Sequence, residues 1–477
     1  MINTLLLFPI IACILMFIIK NKKFDILMLN LYSVLHIIIT TLLITGHAQN
    51  TEYFAIDKTN SLFLLVLSFI FLMITIYNNG YIKNLNFDNK KIRKYIAMTL
   101  IFVLSMTGTI LNCDLAISWI LIEATTLSSA YLIYFNKTKH SIEAAWKYVF
   151  ICSIGIALAF VGIILLNIAS TTTNTMNFNI LYENAKSFDI GWLKFSFLFM
   201  IFGFGTKMGL APLHYWLPDA HSEAPAPVSA LLSATLLNSA FLVIIRVFKI
   251  MELASCSDYA KIVLLFMGFA SLFVTTVFVY HIKNYKRMLA YSSIENVGIL
   301  AIGTALGGFA YYAVILHLIG HSLAKASFFL TSGNILTLYK SKKTKSVKGI
   351  INADSKTAWL WIASFLGICA FPTSVLFISE FIVIKEMIIK HHYILAILFA
   401  LLLTIILFGI GRIVIKMSFG KLSEDKEKLT NENIKKLNWQ MYLPQIVLLI
   451  ILFTLGIYIP ENLSSLIFAF IETLTKG

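Results

Sequence analysis

Three lysines lie inside stretches that are otherwise apolar: Lys147 in residues 142–166, Lys207 in 192–213 and Lys325 in 309–339. An ammonium group in hydrocarbon costs roughly 2.5–3.5 kcal/mol even on the most lenient insertion scale, so intramembrane charges mark sites that handle ions or protons. Glu123 sits near the middle of 115–135, where so short a side chain reaches neither interface and needs a partner. Burial favours the neutral form of both residue types, and an opposite charge nearby reverses that preference. A glutamate and a lysine that can approach and separate therefore form a proton switch. Pairing keeps the proton on the lysine, and parting favours its release. The energy scale fits, since one pK unit is about 1.36 kcal/mol and one charge crossing 100 mV is about 2.3 kcal/mol. The plain alternative for Glu123 is a static buried ion pair joining two helices. Lys147 lies about a turn and a half from the end of its helix and could instead snorkel to the interface. Lys207 is deeper and has no such escape.

His317, His321 and Lys325 recur every fourth residue and so stack on one helix face. Imidazole titrates near neutrality, which suits passing protons in either direction along such a stripe. Histidines hydrogen-bonded in a polar helix interface are the alternative. The His-x-x-x-His pair resembles half a metal site, but the glutamate of His-Glu-x-x-His and a third ligand are missing, so no metal is expected. Glu380 follows Pro372 by eight residues and faces the same interior if that helix is broken; with Lys385 and Glu386 it could instead belong to a charged rim. Arg246, Glu295 and Arg412 are ambiguous, and Asp219, His221 and Glu223 fall in a proline-bounded turn that would be polar in any case. The cysteines, Cys13, Cys113, Cys152, Cys256 and Cys369, are scattered singly, which argues against iron–sulfur or zinc ligation in this chain.

The elements that must position these groups are membrane helices. Hydrophobic residues make up 59% of the 477, charged residues 13%, and mean hydropathy is +0.84, which excludes a soluble globular protein. At about 20 apolar residues per crossing, an all-α polytopic membrane protein of about fourteen transmembrane helices is expected. They begin near residues 2, 24, 60, 95, 115, 142, 192, 226, 261, 288, 309, 357, 393 and 440. The first segment has no basic residue before it and Lys20, Lys22 and Lys23 after it, the reverse of a cleavable signal peptide. Lysine and arginine gather in alternate loops, at 83–94, 137–139, 283–287, 340–348 and 416–436, which places those loops in the cytoplasm and both termini outside. The net charge of +15 reflects this orientation; it requires no nucleic acid and suits anionic lipid or an acidic partner.

Of the eight prolines, Pro212 and Pro372 interrupt apolar segments at corresponding places. Proline removes an intrahelical donor, so each segment should break at mid-membrane. Paired broken helices point to an inverted-repeat transporter. On this reading residues 1–94 are N-terminal packing helices, 95–248 a first five-helix repeat, 258–415 a second, inverted one, and 416–477 a cytoplasmic loop with a C-terminal helix. Lys147 then corresponds to Lys325, and Lys207 to Glu380.

The run GTKMGLAPLHYWLPDAHSEAPAPVSA at 205–230 resembles the signature of the antiporter-like membrane subunits shared by respiratory complex I, Mrp cation/proton antiporters and membrane-bound group 4 nickel–iron hydrogenases. KRMLAYSSIENVG at 286–298 and HLIGHSLAKA at 317–326 are similar to two further motifs of that family, so the likeness spans about 95–415. The resemblance implies fourteen helices, two inverted five-helix repeats and a mid-membrane polar axis. Carried over by motif, Glu123 matches the fifth-helix glutamate, Lys147 the sixth-helix lysine, Lys207 the seventh-helix lysine, His317, His321 and Lys325 the eleventh-helix relay, and Glu380 the terminal ionisable residue of the twelfth helix. Within the family, LLSATLLN at 231–238 and the turn at 220–225 look most like the F component of the hydrogenase-4 and formate hydrogenlyase group. Ser233 stands where several complex I relatives carry a histidine, so water or Ser233 itself must bridge that link. The chain stops soon after the fourteenth helix, so the long lateral helix of the largest complex I subunit is expected to be absent.

The implied function is a proton-translocating subunit of a redox-driven complex, of hydrogenase-4 or NADH dehydrogenase-like type, in a bacterial inner membrane. Such a chain is a non-redox transport subunit of an oxidoreductase complex. It would carry no cofactor; iron–sulfur, nickel–iron or flavin centres would sit in partner subunits, and the transported ion is the proton, with Na⁺ as a further candidate. An Mrp-type Na⁺/H⁺ antiporter subunit is the alternative within transport. A membrane-embedded acid/base enzyme is the alternative outside it, disfavoured because the ionisable residues spread over several helices instead of converging on one pocket.

Overall fold

In a computed structural model, which describes residues 1–47, 50–84, 87–170, 175–421 and 424–475, the chain folds into helices joined by short connections. In order these are α1 (Ile2–Ile19), α2 (Lys22–Ile44), α3 (Ser61–Lys83), α4 (Asn89–Leu111), α5 (Leu115–Ile133), α6 (Lys139–Ala169), α7 (Phe178–Asn184), α8 (Ile190–Met208), α9 (Trp216–Glu223), α10 (Ala226–Leu231), α11 (Leu237–Leu253), α12 (Ser257–Val279), α13 (Tyr285–Leu306), α14 (Ala310–Tyr339), α15 (Ile350–Ala353), α16 (Ser355–Ile368), α17 (Val375–Ile389), α18 (Tyr393–Phe419), α19 (Glu424–Ile434), α20 (Leu443–Ile457) and α21 (Glu461–Thr475). A π-helical turn, Leu232–Leu236, joins α10 to α11.

Among the described residues, twelve helical runs are long and apolar enough to cross a membrane. The two remaining crossings of the fourteen expected are the interrupted ones. α8 ends at Gly209, whose φ of +88° is natural for glycine, and the chain passes Pro212 before α9. α16 and α17 are separated by residues 369–374, with Pro372 in the gap and the Ser374 hydroxyl accepting from the Phe377 amide at the new start. Helix starts follow local chemistry: Asp114 caps α5, Thr138 and Ser141 form a capping box on α6, and Asp189 caps α8. The largest displacement from expectation is the fourth crossing, expected near 95 and starting at Asn89.

The terminal region differs from expectation more. The stretch after 416 was expected to be a solvated loop and one helix, but it carries α19, α20 and α21. α19 gains order by docking on the end of α14, where the Asn433 amide donates to the Leu338 carbonyl at 3.1 Å. Local polarity cannot reveal such a tertiary contact.

The centre of the molecule is formed by helices buried on every side. The runs Ala226–Leu253 and Ala310–Tyr339 are 100% buried over their most apolar windows, whereas Ile2–Ile19 is 28% buried and presents its side chains outward. Helices enclosed by other helices can hold polar groups away from lipid. Close approach comes from small residues, as expected where lipid tails are as apolar as the side chains. A Cβ placed on Gly203 of α8 would lie 2.6 Å from the Gly155 carbonyl and the Ala159 Cβ of α6, so these helices touch almost backbone to backbone.

Arg246 of α11 ties this centre to α4. Its guanidinium is buried and donates to the carbonyls of Asn112 at 2.8 Å and Ile110 at 3.2 Å, the unsatisfied end of α4. Arg246→Met keeps the apolar stem and removes both donors. It should cost about 2–3 kcal/mol, seen as a lower thermal midpoint in detergent, while Lys186→Met on the exposed surface should leave the midpoint unmoved.

Candidate functional site

Lys207 is the next-to-last residue of α8 and is 1% exposed. Its Nζ donates to the Tyr148 hydroxyl at 2.6 Å and to Thr126 Oγ1 at 2.8 Å, and lies 4.7 Å from the centroid of the Tyr148 ring. Thr126 in turn donates to Glu123 Oε2 at 3.0 Å, and Ser153 donates to the other carboxylate oxygen at 3.1 Å. Tyr148 is held from behind by Ser129 at 2.6 Å. Glu123 and Lys207 are thus brought together but not into contact. One hydroxyl, able to accept from the ammonium and donate to the carboxylate, separates them. Charge-assisted bonds of this kind are stronger than neutral ones, and a rotating hydroxyl between acid and base can hand a proton across.

The break after Lys207 is tied down. The Trp216 indole donates to the Thr206 carbonyl at 2.8 Å and its ring packs on Tyr148 at 4.9 Å. The Ala211 amide, just before Pro212, donates to Ser271 Oγ at 2.9 Å.

Lys325 of α14 is fully buried. Its Nζ donates to the Leu289 carbonyl of α13 at 2.8 Å and to Ser292 Oγ. Glu295, one turn further along α13, lines a cavity of about 230 Å³ together with Glu380 and Cys369. His317 bonds Ser379 at 2.9 Å through Nδ1, so α14 is connected to the helix that carries Glu380. His317 Nε2 and both nitrogens of His321 have no partner among the described residues. Between the two lysines, Ser233 in the π-helical turn meets Ser293 at 2.8 Å, and Asn238 donates to Ser322 at 2.8 Å. π-helical turns recur at functional positions in helices. Hydroxyls and amides thus gather at and just after the π-helical turn that carries Ser233.

Lys147 lies elsewhere. It is 47% exposed and pairs with Glu143 at 2.6 Å and Asp219 at 3.2 Å, on the rim of a cavity of about 330 Å³ that Glu223 and Arg287 also line. α6 begins at Lys139, so Lys147 is about 12 Å along its helix at 1.5 Å per residue, within reach of water. The next residue, Tyr148, turns inward and meets Lys207.

Several contributors were discounted or overlooked in the sequence. His221, read as part of a polar turn, is fully buried. It stacks on Phe329 at 5.0 Å and lies 6.4 Å from Trp216, with no partner for either ring nitrogen among the described residues. Lys286, read as a loop residue, is buried and donates to the Ala224 carbonyl at 2.5 Å. Thr126, Tyr148, Ser153 and Ser292 carried no signal of their own beyond the density of hydroxyls on α5, α6 and α13. Glu295 sits inside the motif at 286–298, which was signal enough.

Residues 112–407 match the family described as NADH:quinone oxidoreductase/Mrp antiporter, transmembrane. The chain is 30% identical over 471 residues to the hydrogenase-4 component F homolog of Methylacidiphilum infernorum, covering 96% of each. It shares its fold with a chain of the membrane-bound sulfane sulfur reductase, an archaeal respiratory membrane complex, at TM-score 0.87 and 21% identity over 99% of this chain and 97% of that one. It likewise matches a chain of the Mrp complex of a Dietzia species, at TM-score 0.86 and 16% identity over 100% and 98%.

Thr126→Val removes the hydroxyl between Glu123 and Lys207 at nearly constant volume. It should lower proton flux through reconstituted protein by about tenfold or more, the worth of one charge-assisted hydrogen bond, whereas Lys147→Met should stay within about twofold of the unmodified chain. Dye-monitored acidification of vesicles measures both.

Proposed function

Because the chain belongs to the NADH:quinone oxidoreductase/Mrp antiporter membrane family, we propose that it is the proton-translocating subunit of a redox-driven complex of hydrogenase-4 type, with Lys207 as its central carrier. That it is an antiporter-like integral membrane subunit follows from the family and from its apolar helices. The proton path and the type of complex are our reading. One observation carries it: a buried lysine reaches a half-buried glutamate through a single threonine hydroxyl, at the end of an interrupted helix.

In this reading residues 95–248 and 258–415 are two inverted units, the first holding Glu123 and Lys207, the second His317, His321, Lys325, Glu295 and Glu380. Electron transfer in partner subunits, which would hold the iron–sulfur, nickel–iron or flavin centres, changes the field at one end of the chain. Lys207 then releases its proton through Thr126 or toward Ser233, Ser293 and the α14 histidines. His221, between Trp216 and Phe329, would link the rim cavity with the interior. Repulsion between neighbouring ammonium groups couples the two units, since unlike a hydroxyl each lysine changes charge as it passes a proton. The basic rim would face the cytoplasm, with both termini outside a bacterial inner membrane.

Lys207→Met in the intact complex should leave electron transfer running while the proton yield per electron falls by tenfold or so. An unchanged yield from a fully assembled complex would remove Lys207 from the mechanism. Repeating the measurement with and without Na⁺ separates proton transfer from the Mrp-type exchange, which requires Na⁺ gradients to respond.

A further inference from the structure

We propose that the groove between the C-terminal ends of α12 and α18 binds the headgroup of an anionic phospholipid. The groove, about 300 Å³ in volume, is lined by His281, Lys283, Lys345, Arg412 and Lys416, and among the described residues no aspartate or glutamate lines it. Four of these five are lysine or arginine. Among the described residues none of them has an ion-pair partner, although other rim cations do: Lys147 and Arg287 with Asp219, and Lys342 with Glu223.

Orientation alone does not call for this arrangement. Lysines that only mark a side of the membrane can spread into water, whereas these converge on one concavity and repel one another unless an anion joins them. Apolar residues share the lining with these basic ones. Gly409 lets α18 approach α12 so closely that a Cβ there would lie 2.6 Å from Val279 Cγ1, and Tyr280, Ile413 and Met417 complete the lining. The Tyr280 hydroxyl donates to the Ile405 carbonyl at 3.4 Å, fixing an aromatic residue at the level where the helices leave the bilayer. Phe278, Phe408 and Ile415 are exposed on the two helices beside it, with the Phe408 ring 6.3 Å from that of Tyr280, a surface suited to acyl chains. A phosphodiester at the rim with hydrocarbon beneath it matches both halves of the groove. An acidic protein would satisfy the cations alone. Basic pockets between transmembrane helices bind anionic headgroups on these grounds.

The test uses the full chain in detergent, titrated with dioleoyl phosphatidylglycerol, tetraoleoyl cardiolipin and dioleoyl phosphatidylcholine and read by native mass spectrometry. Arg412→Gln with Lys416→Gln should weaken binding of the two anionic lipids by roughly tenfold to thirtyfold and leave phosphatidylcholine unaffected. Lys283→Gln with Lys345→Gln, on the opposite wall, should give the same loss, so the proposal stays testable if the first pair folds poorly. Lys22→Gln with Lys23→Gln removes equal charge from the α1–α2 turn and should bind lipid like the unmodified chain. Equal losses in this control, or none in the groove variants, overturn the site. Displacement of the lipid by millimolar inorganic phosphate or by polyglutamate at matching concentration overturns the assignment to lipid.

Discussion

An ammonium ion in the interior of a membrane protein must be solvated by protein, and around Lys207 that solvation consists of two hydroxyl oxygens and the face of a phenol ring. A carboxylate in direct contact would hold the charge more firmly, but a buried ion pair that firm would also trap the proton. The Thr126 hydroxyl keeps Glu123 near enough to stabilise the cation and far enough for the pair to exchange. The arrangement works only if both helices hold their side chains within a few tenths of an ångström. That demand falls on α6 and α8, whose contact runs through Gly155, Gly162 and Gly203. A larger residue there would push Tyr148 and Lys207 apart and strand the ammonium. The Trp216 indole serves the same end from the other side, adding a second donor to the Thr206 carbonyl, which also accepts from the Gly209 amide at 3.1 Å.

The second unit meets the same constraint by other means. Lys325 is surrounded by α13, where a backbone carbonyl and Ser292 receive its protons, and its nearest carboxylate, Glu295, belongs to the next turn of that helix. A carbonyl cannot give a proton back, whereas a hydroxyl can. On the proposed path the first unit would therefore exchange through a side chain. The second leans on the cavity that Glu295 and Glu380 share, which opens beside the α16–α17 gap.

Charge in an apolar context was legible in the sequence, and so were the crossings, because hydropathy and proline act locally. Glu123, Lys207, Lys325 and Glu380 stand out for that reason, and the break after Lys207 follows from Pro212. Neighbours one residue apart on a helix point about 100° from each other, so a pattern that finds Lys147 cannot say that Tyr148 is the one facing Lys207. Hydroxyls are also silent, since Thr126 and Ser153 look like any small residue of a membrane helix until a partner appears across the interface. His221 and Lys286 were hidden for the opposite reason. Both sit in polar surroundings along the chain, and only the packing of α9 on α6 and α13 and of α10 on α14 buries them.

On the proposed path, a serine at position 233 instead of a histidine would change the electrostatics of the middle of the molecule. A histidine there would add a third cation whenever it held a proton, and between Lys207 and Lys325 that charge would be opposed from both sides. On the proposed path Ser233 and Ser293, hydrogen-bonded to each other, would pass a proton without acquiring charge. The two lysines would then be the terminals of a neutral segment, each sensing whether the other is protonated, and the ring nitrogens of His221 and His321 have no partner among the described residues. In such a layout the coupling between units is set by the distance between two ammonium groups and by the polarity between them. A single substitution at Ser233 is therefore a more direct handle on that coupling than any change to the lysines themselves.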